Sequence, residues 1–406
     1  MDLVGISSLS KANSTAVNLV SEYPVTNPEV IAASVAAMKT SRTSIIVLGD
    51  SNTNPGYGCD SKYQHNWAFL FTRGMQELLK RPGGFGFAPF CVMSGSAGAT
   101  AWTSRLGTAI SSDNVTLVGT AAYNGQWIAA PGMSVMRGTA GTATSITQTI
   151  GEAIGTSNQI TILGLNQGGG TIGITVNGPG TTDSVASTSG AETVFTKSLT
   201  FTVGTGTSVT IAFSSGSTWT SGCIYDRSDL DGPTLFNFAH HGRRLVDDGT
   251  SATGFYRANN SNGITNNIAT YSSRTPAMVI VPTWQNDAAS SSVDLVTFEA
   301  GMQAIVTRAI AVGTRVVFIN SLKPHVLDNN PASYSTQRRI VASLAAANPT
   351  VVAVIDEAFA FDFWGDFQNA LVAGGVVNLR FDASHYNQTF HHLRASSLLK
   401  IFKKYI

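Results

Sequence analysis

Short apolar runs recur along the chain, each closed by glycine, proline or a polar residue. Ser44-Ile45-Ile46-Val47-Leu48 leads into Gly49-Asp50-Ser51. Thr234–Phe238, Ala277–Val281, Arg315–Ile319 and Val351–Ile355 have the same form. Runs of this length without polar alternation fit strands buried on both faces, as in a parallel sheet. Helical spacing lies beside them. From Asn66 to Lys80, Trp67, Leu70, Phe71, Met75, Leu78 and Leu79 fall near a period of 3.6, and Arg81-Pro82-Gly83-Gly84 stops the pattern. Further helices are expected at Asp294–Val312, Ser335–Ala347 and Asn387–Tyr405. Strands alternating with helices predict βαβ units and a sheet of about five parallel strands.

Between about residues 111 and 225 the pattern changes. Only six charged residues lie from Ser111 to Thr220: Asp113, Arg137, Glu152, Asp183, Glu192 and Lys197. Short β-type runs (Gln159–Leu165, Thr171–Val176, Thr193–Val203, Ser208–Phe213) alternate with Gly/Thr/Ser turns, which predicts a sandwich or jelly roll. No helix start signal stands out there. Gly168–Ser189 reads as turns around one short strand. The β-rich unit, 111–225, is therefore inserted into a discontinuous α/β domain, 43–110 plus 226–406. Residues 1–42 read as a lead-in arm with a weak helical patch from Pro28 to Met38.

Composition narrows the classes. Of 406 residues 12% are charged, about half the usual ~25%. Apolar residues make up 43%, enough for a sizeable core and against disorder. Twenty-five Lys+Arg against 24 Asp+Glu leave a net charge of +1, so no basic stripe for nucleic acid is expected. No run approaches the ~18 apolar residues of a membrane span. Met1-Asp2-Leu3-Val4-Gly5 lacks the basic region and apolar core of a Sec signal peptide. The low charge, made up by Gly, Ser, Thr, Ala and Asn, suits an extracellular or particle-borne surface. Cys59, Cys91 and Cys223 lie far apart without CxxC spacing, so buried thiols are expected rather than a zinc site.

Three places carry candidate chemistry. Gly49-Asp50-Ser51-Asn52 ends the first strand, the edge where open α/β sheets bind ligands. A serine there has an exposed hydroxyl and an N–H near a helix N-terminus. Asp and Ser are also common helix caps. Trp284-Gln285-Asn286-Asp287 follows a middle strand, and an Asn amide can donate to an oxyanion or simply close a turn. Asp382-Ala383-Ser384-His385 precedes the last helix and offers a base with a carboxylate to orient it. His391 and His392 fall within the helix without a carboxylate at matching spacing.

In this order, the three motifs resemble the SGNH hydrolase (GDSL esterase/lipase) superfamily. Gly49-Asp50-Ser51 looks like its block I, Asn286-Asp287 its block III and Asp382-x-x-His385 its block V. The resemblance implies a three-layer α/β/α, flavodoxin-like domain. It also implies a Ser51–His385–Asp382 triad acting without metal or cofactor. The oxyanion hole would comprise Ser51, Asn286 and a glycine after the second strand. Gly242 fits that position, with Gly98 in Ser94–Thr100 as the alternative. Two departures stand out: Trp284 replaces the block III glycine, and Asn52 replaces the Leu of GDSL. Trp284, His241 and Asp50 are candidate substrate contacts.

The expected activity is hydrolysis of O-acetyl groups on a polysaccharide. The insert resembles a carbohydrate-binding module, in which Trp127, Trp219 and Tyr123 would serve as platforms or pack in the core. The alternatives are an inactive glycan- or receptor-binding protein and an O-acyltransferase using the same triad. The expected partner is a glycan ester, and the expected setting is extracellular or a virion. A homo-oligomer or a larger carrying particle is the expected assembly.

Overall fold

The protein is described here as a computed structural model covering residues 23–53, 65–90, 115–118, 121–124, 131, 135–138, 144–188, 190, 192–216, 218–240, 244–246, 254–257, 260, 262–289, 294–321, 331–358 and 386–406. The described chain begins with β1 (Val25–Thr26) and α1 (Pro28–Thr40). Pro28 at the first helical turn, Glu29 near the start and Lys39 near the end favour that helix. Val30, Ile31, Val35 and Met38 are all buried. The Asn27 side chain donates to the carbonyls of Ala345 and Val352 at 3.0 and 2.8 Å. This segment, expected as part of an arm, is built into the fold.

Next come β2 (Thr43–Val47), α2 (Trp67–Leu79) and β3 (Gly86–Pro89). Asn66 caps α2 by accepting from the Ala68 N–H at 3.0 Å. The antiparallel strands follow: β4 (Val115–Val118), β5 (Ala121–Asn124), β6 (Val135–Gly138), β7 (Thr144–Gln148), β8 (Gln159–Leu165), β9 (Gly170–Asn177), β10 (Thr181–Ser187), β11 (Val194–Thr200), β12 (Ser208–Gly216) and β13 (Trp219–Asp226). One short helix, α3 (Gly151–Thr156), lies among them, where no helix was expected. Gly168–Ser189 holds two paired strands, β9 and β10, rather than one.

The remaining elements are β14 (Thr234–Asn237), β15 (Arg244–Val246), β16 (Gly254–Tyr256), α4 (Asn262–Asn267), β17 (Thr275–Pro282), α5 (Gln285–Ala289), α6 (Leu295–Ala311), β18 (Val316–Asn320), α7 (Pro331–Ala347), β19 (Val352–Asp356) and α8 (Gln388–Lys403). Four of these strands and β2 run parallel in the order β14-β2-β17-β18-β19, and β1 adds antiparallel at the β19 edge. Alternate residues of β2 serve two cores. Ile45 and Val47 pack with Val35 of α1, Phe71 of α2 and Leu398 of α8. Ile46 packs with Met302 of α6 and Leu344 of α7. Helices therefore cover both faces of the sheet, which is why its strands lack polar alternation.

The antiparallel strands form two sheets, β10-β9-β12-β7-β4 and β11-β8-β13-β6-β5, with β3 also paired to β13. Ile172, Ile174 and Val176 of β9 and Ile160 and Ile162 of β8 share one apolar cluster. The Tyr225 hydroxyl donates to Gln148 Oε1 at 2.8 Å, linking β13 to β7 of the other sheet. Every residue of β13 is buried. Cys223 and Tyr225 join one core, while Ile224 joins the other with Phe87 of β3. Cys223 is a buried free thiol, and burial raises its pKa. At Gly86, φ is +117° and a Cβ would lie 2.1 Å from the Leu235 carbonyl, so only glycine lets β3 approach β14 this closely.

Asp226 and Arg274 join the two parts. Both are fully buried, and their ion pair measures 2.8 Å. Arg274 also donates to the carbonyls of Gly232 (2.6 Å), Leu230 (3.0 Å) and Thr43 (3.3 Å). Asp226 also accepts from Arg42 and Ser272 at 2.8 and 2.7 Å. Removing one partner of a buried pair strands the other charge in a low dielectric. Arg274→Ala is accordingly expected to cost about 3–5 kcal/mol of unfolding free energy. Urea denaturation checks this, and a loss below about 1 kcal/mol would mean that the pair is dispensable.

Candidate active site

Counted in chain order, the parallel strands lie second-first-third-fourth-fifth. Connections from the first and third then leave in opposite directions and open a crevice at their C-terminal ends. Gly49-Asp50-Ser51 leaves β2 at this edge, and Thr283-Trp284-Gln285 leaves β17. Backbone bonds lash the neighbouring loops together. The Leu48 N–H donates to the Ile280 carbonyl at 3.0 Å, and the His240 N–H to the Gly49 carbonyl at 3.1 Å.

The turn at 50–53 is tight. The Thr53 N–H donates to the Asp50 carbonyl at 3.0 Å, and a Cβ at Gly49 would lie 2.7 Å from Thr53 Oγ1. Asp50 is buried, and backbone amides engage both its oxygens. Oδ1 accepts from the Asn52 N–H at 3.0 Å and Oδ2 from the Gln285 N–H at 3.1 Å. Asp50 therefore clips the first loop to the third. Burial pushes its carboxyl up to about 6, with these hydrogen bonds opposing the shift. Ser51 is 2% exposed, and its Oγ accepts from Gln285 Nε2 at 3.4 Å.

Trp284 does not line the crevice. It is 1% exposed, and its ring centroid lies 5.3 Å from that of Phe255. The large apolar indole is drawn into the core under α6, which overturns its expected contact with substrate. Asn286 lies half-buried on the first turn of α5. Asp287 is buried and accepts from the N–H groups of Leu245 (2.8 Å) and Val246 (3.0 Å). Those bonds hold Arg244–Val246 extended. Burial raises the Asp287 carboxyl to about 7 despite the two amides, and the nearby Asp50 adds to the rise.

Asp382, His385, His241, Gly242, Gly98, Trp127, Cys59 and Cys91 lie outside the described residues. Only the backbone of Tyr123 is described, and Trp219 is buried at 6% exposure. The residue after His385 is described. The Tyr386 N–H donates to Asn52 Oδ1 at 3.1 Å, and its ring stacks on Phe390 with centroids 4.0 Å apart. Arg394 lies 5.4 Å from the Tyr386 ring and 4.7 Å from the Phe390 ring. It is fixed by a buried pair with Glu357, Nε to Oε1 at 2.9 Å. His391 is buried, and its Nδ1 accepts the Trp67 N–H at 3.4 Å. Burial, with the charge of Arg394, lowers its pKa to about 3, so it stays neutral. His392 pairs with His65 at 3.0 Å.

Tyr386 lies in the crevice outside the motifs, while Gln285 and Asn52 stand within them without an expected role. Asn237, also outside the motifs, ends an apolar strand and donates to the Thr53 carbonyl at 2.9 Å. A polar side chain in a buried strand needs such a partner, and that was the available signal. Among the described residues no cluster of three or more His, Cys, Asp or Glu side chains is placed to hold a metal ion. Among them, too, no helix is long and apolar enough to cross a membrane.

Comparison with protein-family models found no match, and comparison with curated proteins found none. Among solved structures the chain is similar to a peptidoglycan O-acetylesterase, with a TM-score of 0.55 and 16% identity over 92% of this chain and 94% of that one. It also aligns with a family two carbohydrate esterase from Clostridium thermocellum (TM-score 0.29, 11% identity, 70% of this chain and 97% of that one). A third alignment is to a family two carbohydrate esterase from Cellvibrio japonicus (TM-score 0.27, 11% identity, 72% of this chain and 99% of that one). The first of these similarities is one of fold.

Asp50 and Asp287 titrate at about 6 and about 7 in the folded chain, against an ordinary 3.8. Between those values the folded state holds more protons than the unfolded one, so stability falls as pH rises through that window. Asp287→Asn is expected to show a smaller fall in melting temperature than the parent from about pH 5 to about pH 8. Parallel curves for the two proteins would refute the raised carboxyl.

Proposed function

We propose that the protein is a serine esterase of the SGNH type that removes O-acetyl groups from a polysaccharide. One contact carries the reading: the Tyr386 N–H, next after His385, lies 3.1 Å from the Asn52 side chain, next after Ser51. Consecutive Cα atoms are about 3.8 Å apart. A bond between 52 and 386, across 334 residues of sequence, therefore supports side-chain reach between 51 and 385. The fold shared with a peptidoglycan O-acetylesterase is compatible with this ester class.

Ser51 Oγ attacks the ester carbonyl carbon as His385 takes the hydroxyl proton. Asp382 orients the imidazole and stabilises the imidazolium. The oxyanion accepts hydrogen bonds from the Ser51 N–H, the Asn286 amide and a glycine N–H, with Gly242 favoured over Gly98. As the tetrahedral intermediate collapses, the bond from the carbonyl carbon to the sugar oxygen breaks, and that oxygen takes the proton from His385 and leaves as a hydroxyl. Water then repeats the sequence on the acyl-enzyme, releasing acetate and restoring Ser51. His241, beside Gly242, is a candidate substrate contact. The α/β part, 43–110 with 226–406, carries this chemistry, and the insert, 111–225, presents the glycan. The setting is extracellular or a particle surface.

Wild type is expected to hydrolyse a chromogenic acetate ester and to release acetate from O-acetylated glycans. Ser51→Ala is expected to do neither. Equal rates would leave a binding protein as the better account, and acetyl transfer to an added sugar in preference to water would leave an acyltransferase. His385→Ala should lower turnover by orders of magnitude, while folded His391→Gln should keep it; equal loss in both would remove His385 as the base. Asn286→Ala should raise the barrier by about 2.7–4 kcal/mol, as for other oxyanion donors. An unchanged rate would take that amide out of the site.

A further inference from the structure

We infer that Asn52 is a positioning residue, whose side-chain carbonyl sets the segment carrying the base against the nucleophile. The inference rests on the serine-esterase reading above. Three observations support it. Asn52 is 6% exposed, and its Oδ1 accepts the Tyr386 N–H at 3.1 Å in a buried bond. The Asn52 N–H is itself held by Asp50 Oδ1 at 3.0 Å, while Asp50 Oδ2 holds the Gln285 N–H at 3.1 Å. One carboxylate thus fixes Asn52 and the start of α5 together, and Asn52 passes that constraint to the third segment. On the far side, Tyr386 is seated by its stack on Phe390 at 4.0 Å and by Arg394 over its ring at 5.4 Å. The segment entering α8 is therefore held by its ring from one side and by its amide from the other.

The Leu of the GDSL name cannot accept this bond. A leucine here would remove this acceptor from the buried Tyr386 N–H and with it the tie between the two segments. A displacement of about 1 Å between reacting groups can cost on the order of 100-fold in rate. Acting through the Tyr386 backbone, Asn52 sets geometry, so its loss should appear in turnover rather than in substrate binding.

The experiment compares Asn52→Leu, Asn52→Ala and Asn52→Asp with wild type and Ser51→Ala on a chromogenic acetate ester. Rates are normalised to the folded fraction from near-ultraviolet circular dichroism. Leucine and alanine are expected to lower kcat about 10- to 100-fold with KM within about twofold, and aspartate, which keeps an acceptor oxygen, to recover most of the loss. A purely structural role would instead reduce the folded fraction and leave kcat per folded molecule unchanged. That result, or equal impairment by leucine and aspartate, would overturn the inference while Ser51→Ala stayed inactive. Full activity in Ser51→Ala would overturn the esterase reading itself, and the positioning role with it.

Discussion

The ion pair of Asp226 and Arg274 is the constraint on which the architecture depends. Two full charges are removed from water where the chain leaves the antiparallel sheets and rejoins the parallel one. Desolvation costs several kcal/mol per ion, so the arrangement persists only because each remaining donor and acceptor finds a partner. Arg274 spends its other N–H groups on backbone carbonyls, including that of Thr43, the first residue of β2. Arg274 also stands immediately before β17. The two strands that bear the crevice residues are thus fixed at their N-terminal ends by one guanidinium. Their C-terminal ends, where Ser51 and Gln285 meet, inherit that register.

A second layer of polar contacts refines the first. Asp50, Asn52 and Asp287 each flank a proposed catalytic residue, and each reaches across to the backbone of another segment. Hydrogen bonds to backbone amides fix position without depending on a flexible side chain at the receiving end. Buried carboxylates used in this way carry raised pKa values because burial outweighs the amides around them.

The parallel sheet was legible because its strands are apolar on both faces and its long helices repeat near 3.6. Val279, Ile280 and Val281 need no context to read as a buried strand. The motif at Gly49-Asp50-Ser51 was legible for a related reason, since it closes such a run. Elsewhere the signal failed for physical causes. Val30, Ile31, Val35 and Met38 form one apolar face, but the segment around them is rich in small residues and looked like an arm. β10 exposes most of its side chains and sits among glycines, so its pairing with β9 left little hydrophobic trace. Trp284 drew attention as a bulky residue beside a motif, yet its area made burial against Phe255 the better outcome. Asn52 and Asp287 make bonds fixed by tertiary approach, to residues 334 and about 41 positions away, which no local pattern encodes.

β13 has no solvent-facing side: Cys223 and Tyr225 look into the layer between the antiparallel sheets, while Ile224 looks toward the core of the parallel one. A strand used twice cannot act as a hinge. Any swing of the antiparallel sheets against the parallel one would have to open apolar layers packed on both faces of this strand. On the esterase reading proposed above, the span between a glycan on the outer surface of the antiparallel sheets and Ser51 is set by the width of one strand.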